Sequence, residues 1–584
     1  MMLRALVELA TREGLVESDD FEKKRVDFEI QIDDDGRFVG LISLQGEDGK
    51  GQRMSVPRFP SRTMQVVPGF MVDNAKYVLG IGDPKKDKSE RLAKCQAAFI
   101  GLIKDAFTAT KDPGLSALLA FYERIADNLA SVLRDRSADK WSGSEILFFS
   151  DPTLGRLHDR PAIREYWAAF RNAETNDGGS TERARCLVTG RYDVIERLHP
   201  MLKRVPGGQS SGAAVVSFNA DAFESHHLSQ GDNAPVCRSA AIAYTTALNW
   251  LLEKVDDRPH RHGVRIGDDA VALYWTTAPD KALSFFADLW EGPRKEEAER
   301  FFESPWKGQP PADLDQNRFY AVTLGGNAAR VVVRDWFETS IGKVKENLSQ
   351  YCDDLAIGAV RRPFAIWQLL AAIDPPGKAT APPDMGARVF AASLKGTPLP
   401  RELLRHALLR MRVPGKKAEA FWVLGARVAL IKATLLGIGR TDQNKTHLKE
   451  VTVSLDSNSN LTAYNLGRLF AALERAQQNA LGDVNSTIRD RYFSAATMTP
   501  ALVFPRLLRM AQHHIAKAKA ENREYGIERT VTEIVGRLPA TGLPSLLTLE
   551  DQGLFAVGYY HQREAFFTKR KTSNPPAASA AGEE

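Results

Sequence analysis

The stretch Phe319–Trp336, FYAVTLGGNAARVVVRDW, reads as a β-hairpin with Gly325, Gly326 and Asn327 at its turn, and after it the strand signal almost disappears. Beyond about Ser340, apolar residues recur at helical spacing instead, in RRPFAIWQLLAAI, RELLRHALLRM, EAFWVLGARVALIKATLL, NLGRLFAALERAQQNAL and ALVFPRLLRMAQHHIAKAKA. Short proline and glycine segments such as DPPGKATAPPDMG separate these helices. Upstream the signals are mixed. RVDFEIQI (Arg25–Ile32) alternates Val26, Phe28, Ile30 and Ile32 with polar residues, Asp34-Asp35-Gly36 supplies a turn, and RFVGLISL (Arg37–Leu44) returns as a second strand. Helical patterns over Ser89–Phe107, Gly114–Arg134 and from Pro235 to about Lys254 stand among β-like runs at EILFFS, RCLVTG, AAVVSF and AVALYW. The expected fold class is α+β: a mixed N-terminal part with β-hairpins, then an all-α C-terminal helical bundle.

A chain of 584 residues is too long for one hydrophobic core. The pattern divides it into an α+β region at 1–340, a basic helical region at 341–460, a C-terminal bundle at 461–571 and a small, polar tail at 572–584 expected to be disordered. The net charge of +5 is modest, but Arg401–Arg440 holds nine Lys or Arg against two Glu, which points toward a polyanion partner. Cys95, Cys186, Cys237 and Cys352 lie far apart without C-x-x-C spacing, so neither a zinc site nor a disulfide framework is suggested. The start MMLRALVELATREG lacks the apolar run of a secretory signal, and no stretch approaches a membrane span of about 18 apolar residues, so a cytoplasmic protein without membrane partners is expected.

The segment GQSSG (Gly208–Gly212) fits the G-x-S-x-G pattern of a hydrolase, yet a nucleophile elbow needs a strand before the serine and a helix after it. Here Pro206 and Gly207 precede Ser210 and a β-rich run follows, so the order is inverted. Adjacent His226 and His227, like His513 and His514, point in different directions on any regular element and have no second ligand pair at metal spacing. Neither a catalytic residue, nor a metal, nor a cofactor is expected. Glycine permits close backbone approach to a ligand, and the nearby Gln209, Ser210, Asn219 and Asn233 can read base edges or sugars. A structured turn whose amides satisfy buried backbone is the equal alternative. In NSTIRDRYFSAATMTPALVFPRLLRMAQHHIAKAKA, the bases Arg489, Arg491, Arg506, Arg509, Lys517 and Lys519 interleave with apolar residues at helical spacing, leaving a basic stripe outside.

SSGAAVVSFNADAFESHHLSQGDNAPV, AAIAYTTALNWLL, GGNAARVVVRDW, LGRLFAALERAQQNA and LEDQGLFAVGYYHQREAFF, with FEKKRVDFEIQIDDDGRF and GFMVDNAKYVLGIGD near the start, resemble the large subunit of the type I-C CRISPR interference complex, Cascade, over nearly the full length. The resemblance implies a non-enzymatic subunit that examines the protospacer-adjacent motif (PAM) on double-stranded DNA, while a crRNA guide supplies sequence recognition and an R-loop forms. Implied partners are the crRNA, target double-stranded DNA, the CRISPR backbone subunits, the crRNA 5′-end capping subunit, a small subunit made by internal translation from about Leu461, and a transiently recruited helicase-nuclease that cuts. On this footing Arg53, Arg58, Arg62, Asn74, Gln209, Ser210, Asn219 and Asn233 are candidates for DNA and PAM contacts. Arg489, Arg491, Arg506, Arg509 and Lys517 are candidates for the nucleic-acid backbone. The rival readings are a hydrolase or nuclease using Ser210 or a histidine cluster, and a free-standing RNA-binding module.

Overall fold

The computed structural model describes residues 1–584 except 48, 61–64, 84, 175–182, 219, 254–261, 267–268, 280–282, 284–289, 291–315, 359–363, 376–380, 414–420, 483–485 and 573–584. Two compact units divide it, Met1–Glu253 with Gly326–Val332, and Lys254–Gly325 with Val333–Glu584. The expected boundary near 340 falls inside the second unit, whose single core runs from Val264 to Tyr560. All but the first residue of the expected tail lies outside the described residues.

In the first unit, α1 (Met2–Arg12) precedes β1 (Phe21–Val26), β2 (Phe28–Ile32), β3 (Phe38–Ser43), β4 (Gln52–Pro57) and β5 (Val72–Asn74). The Arg25–Ile32 run breaks at Asp27, which bonds Ile146 through both its N–H and its carboxylate at 2.8 Å each. β2 pairs antiparallel with β3 as the alternation predicts, and Gly36, at φ +73°, closes the turn. β4 pairs antiparallel with β1, with Met54 and Val56 alternating inward. Then come α2 (Ala75–Val78), α3 (Ser89–Thr110), α4 (Pro113–Glu123), α5 (Ile125–Asp135), β6 (Ile146–Asp151), β7 (Gly155–Arg156), α6 (Pro161–Glu174), β8 (Arg183–Arg185), β9 (Tyr192–Val194) and α7 (Arg238–Leu252). The main sheet runs β3-β2-β6-β5, with β7 on β6 and a parallel β2–β6 pair. Asp112 starts α4 by accepting from Gly114 N–H and Arg160 Nε, both at 2.8 Å, and Pro113 fits the first helical turn.

One sheet runs β10 (Gly263–Ile266), β11 (Ala270–Thr276), β12 (Arg318–Asn327) and β13 (Arg330–Ser340) in that order, all in the second unit except the hairpin tip Gly326–Val332, which belongs to the first. The hairpin turn falls at Ala328-Ala329, with Ala328 at φ +52°, and not at the glycines. AAVVSF forms no strand; Ala213 and Ala214 make only isolated bridges, to Leu202 and Arg330. Helices then dominate as expected: α8 (Ile341–Leu355), α9 (Ile366–Ile373), α10 (Met385–Lys395), α11 (Arg401–Arg412), α12 (Phe421–Thr441), α13 (Thr462–Leu481), α14 (Ile488–Met498), α15 (Pro500–Ala520), α16 (Ile527–Val535) and α17 (Leu549–Thr572). Trp422–Thr441 within α12 is long and apolar enough to cross a membrane, but 72% of it is buried inside the protein as a core helix.

α13 and α17 cross through Gly467 and Gly558. A Cβ at either would drive into the facing carbonyl, of Phe555 or Tyr464 respectively. Beside the crossing, buried His561 meets the Tyr464 hydroxyl at 2.9 Å through Nδ1, and burial lowers its pKa to about 4. Between pH 6.5 and 4 the unfolded chain binds this proton and the folded chain does not, so the stability is full above pH 6.5 and is lost as pH falls through that window. His561→Gln should therefore flatten the acid-side decline in urea-unfolding free energy between pH 7 and 4.5 by about 2 to 3 kcal/mol.

Candidate nucleic-acid interface

Helix α15 separates its residues by chemistry. Val503, Phe504, Leu507 and Ala511 are buried, while Arg506, Arg509, His513 and Lys517 are exposed. Their spacing of three or four residues puts these polar side chains on one face. Pro500 sits in the first turn, and on the exposed side Arg506 lies over the Tyr492 ring at 5.6 Å. Arg506, Arg509 and Lys517 form no ion pair with a carboxylate among the described residues; Arg509 Nε reaches only the Pro505 carbonyl at 3.5 Å. Lys519 is paired with Glu528. On α14, whose start is capped by Thr487 and Asp490, exposed Arg491 donates to Ser486 Oγ at 3.0 Å. Arg489 instead turns inward, its guanidinium 5.8 Å from the Phe493 ring and 6.0 Å from that of Tyr559. The stripe is thus Arg506, Arg509 and Lys517 with Arg491 nearby in sequence, and Arg489 is a packing residue.

The denser charge of Arg401–Arg440 is engaged within the protein at five of its nine cations, while Arg405 stays exposed. Arg427 and Lys432 are 2% and 1% exposed. Arg427 Nε donates to the Ala372 carbonyl at 2.6 Å, and Lys432 Nζ to that of Asp353 at 3.1 Å. Burial pulls the Lys432 pKa down to about 8, against the opposing pull of Asp354 and Asp353. Arg440 grips Asp354 with both guanidinium nitrogens, Arg401 pairs with Glu550, and Arg412 with Gln552. Lys416 and Lys417 lie outside the described residues.

Of the N-terminal candidates, Arg53 lies on β4, partly exposed and ion-paired with Glu253. Arg58 is a structural tie: its guanidinium donates to the Asp19 and Phe21 carbonyls at 2.8 and 2.9 Å, and burial lowers its pKa. Arg62 and Asn219 lie outside the described residues. Asn74 ends β5 and begins α2, with its Oδ1 buried and unpartnered among the described residues.

The glycine crowding around Ser210 serves another backbone. Gly326 N–H donates to the Pro206 carbonyl at 2.7 Å, Gln209 N–H to that of Ala328 at 3.0 Å, and a Cβ on Gly207 would meet the Gly326 oxygen at 2.8 Å. Gly207 at φ +76° and Gly212 at φ +120° supply backbone that side chains resist. Gln209 and Ser210 remain exposed on the outside of this turn. Asn233 staples the following loop, accepting from Ser225 N–H at 2.9 Å and donating to the Leu228 and Gln230 carbonyls at 2.9 and 3.1 Å. His226 and His227 stand at the exposed tip of that loop, both at positive φ. Among the described residues no group of three or more His, Cys, Asp or Glu could hold a metal ion.

The fold also presents a cationic surface that the segment-wise charge reading passed over. In residues 183–204, Arg183, Arg185, Arg191, Arg197, Lys203 and Arg204 stand against two acids, and all six are exposed. The signal available in sequence was this same imbalance, in a shorter segment than the one at 401–440.

The model of the CRISPR-associated protein family Cas_Csd1 matches residues 6–567, nearly the whole chain. The chain belongs to this family. No curated protein matches it. The Cas_Csd1 match spans both compact units, so the exposed face of α15 and the turn at Gln209-Ser210 fall within one family assignment.

Proposed function

We propose that this Cas_Csd1 chain is the large subunit of a type I-C RNA-guided complex, which recognises the PAM on double-stranded DNA, promotes duplex opening and R-loop formation, and supports recruitment of a helicase-nuclease without itself breaking a covalent bond. The observation that carries the reading is the unpaired cationic face of α15, in a chain whose other basic helical segment ties Arg401, Arg412, Arg427, Lys432 and Arg440 to its own carboxylates, carbonyls and an amide. Cations left free on one face suit phosphates, which position nucleic acid without reading it. Reading falls to the short uncharged groups Gln209 and Ser210, which suit the minor groove. Asn233 acts on that reading through the shape of its loop.

The test measures assembled complex on duplexes with and without the preferred flanking motif. Gln209→Ala is expected to weaken only the motif-bearing duplex, by about 1 to 3 kcal/mol. Equal losses on both duplexes would remove its reading role. Ser210→Ala separates the enzymatic rival, which requires collapse of turnover, from the binding reading, which requires only weaker DNA engagement.

The small-subunit product is a second expectation. α13 packs along α17, and α14, α15 and α16 join the same core. Expression of the intact gene with a C-terminal tag should give a full-length band and a second band beginning near Leu461; a lone full-length band counts against internal initiation.

A further inference from the structure

We infer that the ribbon β8–β9 and the chain following it, residues 183–204, form a docking surface for single-stranded nucleic acid, with Tyr192 as the platform for a base. The register sets Arg185 directly opposite Tyr192 and Arg183 opposite Val194, so these four side chains share one face of the ribbon. Tyr192 is 72% exposed, Leu187 69% and Leu198 60%, an unusual run of large apolar groups left in water within twelve residues. Interleaved with them are the six exposed bases, and none is ion-paired to a carboxylate among the described residues. The two acids of the segment are engaged elsewhere: Glu196 faces Arg238 at 3.9 Å, and Asp193 accepts from Val194 N–H at 2.8 Å.

The surface is held rigidly from beneath. Cys186 is buried and its Sγ accepts from the N–H groups of Cys237 and Thr189 at 3.2 and 3.4 Å, while Leu187 N–H donates to the Pro235 carbonyl at 2.8 Å. These bonds fix the ribbon to the start of α7, so the exposed aromatic and its cations are presented in a set geometry. Arg185 Nε donates to the Gly190 carbonyl at 3.2 Å and Arg197 to Gln230 Oε1 at 2.6 Å, neutral partners that leave the charge uncompensated. An exposed aromatic among such cations matches the chemistry of a flexible strand, whose bases offer π-faces and whose phosphates offer charge. A duplex keeps its bases stacked and would leave Tyr192 idle. The inference extends the nucleic-acid reading above but does not depend on PAM recognition.

The experiment is fluorescence anisotropy of the full chain with labelled mixed-sequence single-stranded DNA, single-stranded RNA and duplex DNA, across a salt series. Tyr192→Ala is expected to weaken single-strand binding about tenfold, with Tyr192→Phe within about twofold of the parent because stacking survives. Arg185→Ala with Arg191→Ala should lower the salt slope by about 1.4. The stronger of the DNA and RNA arms identifies the strand as displaced target or guide. Ultraviolet crosslinking of the unaltered assembled complex, followed by peptide mapping, should place Tyr192 on nucleic acid, a result that holds however the variants fold. Unchanged single-strand affinity of Tyr192→Ala overturns the inference, as does a map joining Tyr192 and Leu187 to a protein subunit alone. Loss of motif preference with Tyr192-dependent binding intact would defeat the PAM reading and leave this one standing.

Discussion

Gly467→Ala is expected to destabilise the second unit by about 3 kcal/mol or more, the largest stability effect of any single substitution considered for this chain. The added methyl has nowhere to go, because it faces the Phe555 carbonyl on α17, and Gly558 presses Tyr464 of α13 in the same way. A flexible side chain could swing aside; two helix backbones cannot. α13 and α17 would have to separate, uncovering Phe470, Phe555 and Tyr559, which are all buried there. At ~2 to 4 °C per kcal/mol for a unit of this size, a calorimetric transition should fall by roughly 10 °C. Gly101→Ala on α3 is the control. Nothing lies within 4 Å of its added methyl, so it should be neutral or stabilising by up to ~1 kcal/mol through helix propensity.

The second large effect is on binding. Arg506→Ala, Arg509→Ala and Lys517→Ala combined should lower affinity of the assembled complex for DNA on the order of a hundredfold at low salt, to the same degree for every flanking sequence. The slope of log affinity against log salt should flatten by about 0.9 for each lost phosphate contact. Because these side chains are exposed and the inner face of α15 is untouched, the melting transition should stay where it is. Arg489→Ala supplies the contrast: its guanidinium packs against Phe493 and Tyr559, so it should cost stability more than salt-dependent binding.

The parts of the fold that were readable from sequence are those whose partners are local or whose periodicity is enforced by burial. The β2–β3 pair follows from alternation and Gly36, and the apolar stripe of α15 follows from its own spacing. Charge was legible only as composition. Asp354 lies 86 residues from Arg440 and Glu550 lies 149 from Arg401, so nothing along the chain marks those cations as internally engaged. The glycines before Ser210 raised the same difficulty. Their need for close approach was visible, but the approaching group is the Gly326 backbone from a distant hairpin tip. Met54 and Val56 likewise became a strand only because β1 offered an edge to pair with.

We propose that this Cas_Csd1 chain brings motif recognition on duplex DNA to an RNA-guided particle. The most direct measurement sequences the targets retained by the particle, with and without this chain, from a library whose guide-matched site is flanked by randomised bases. One short flanking motif should be enriched with the chain present, and the enrichment should vanish when it is omitted. An identical motif retained by particles lacking the chain would contradict it.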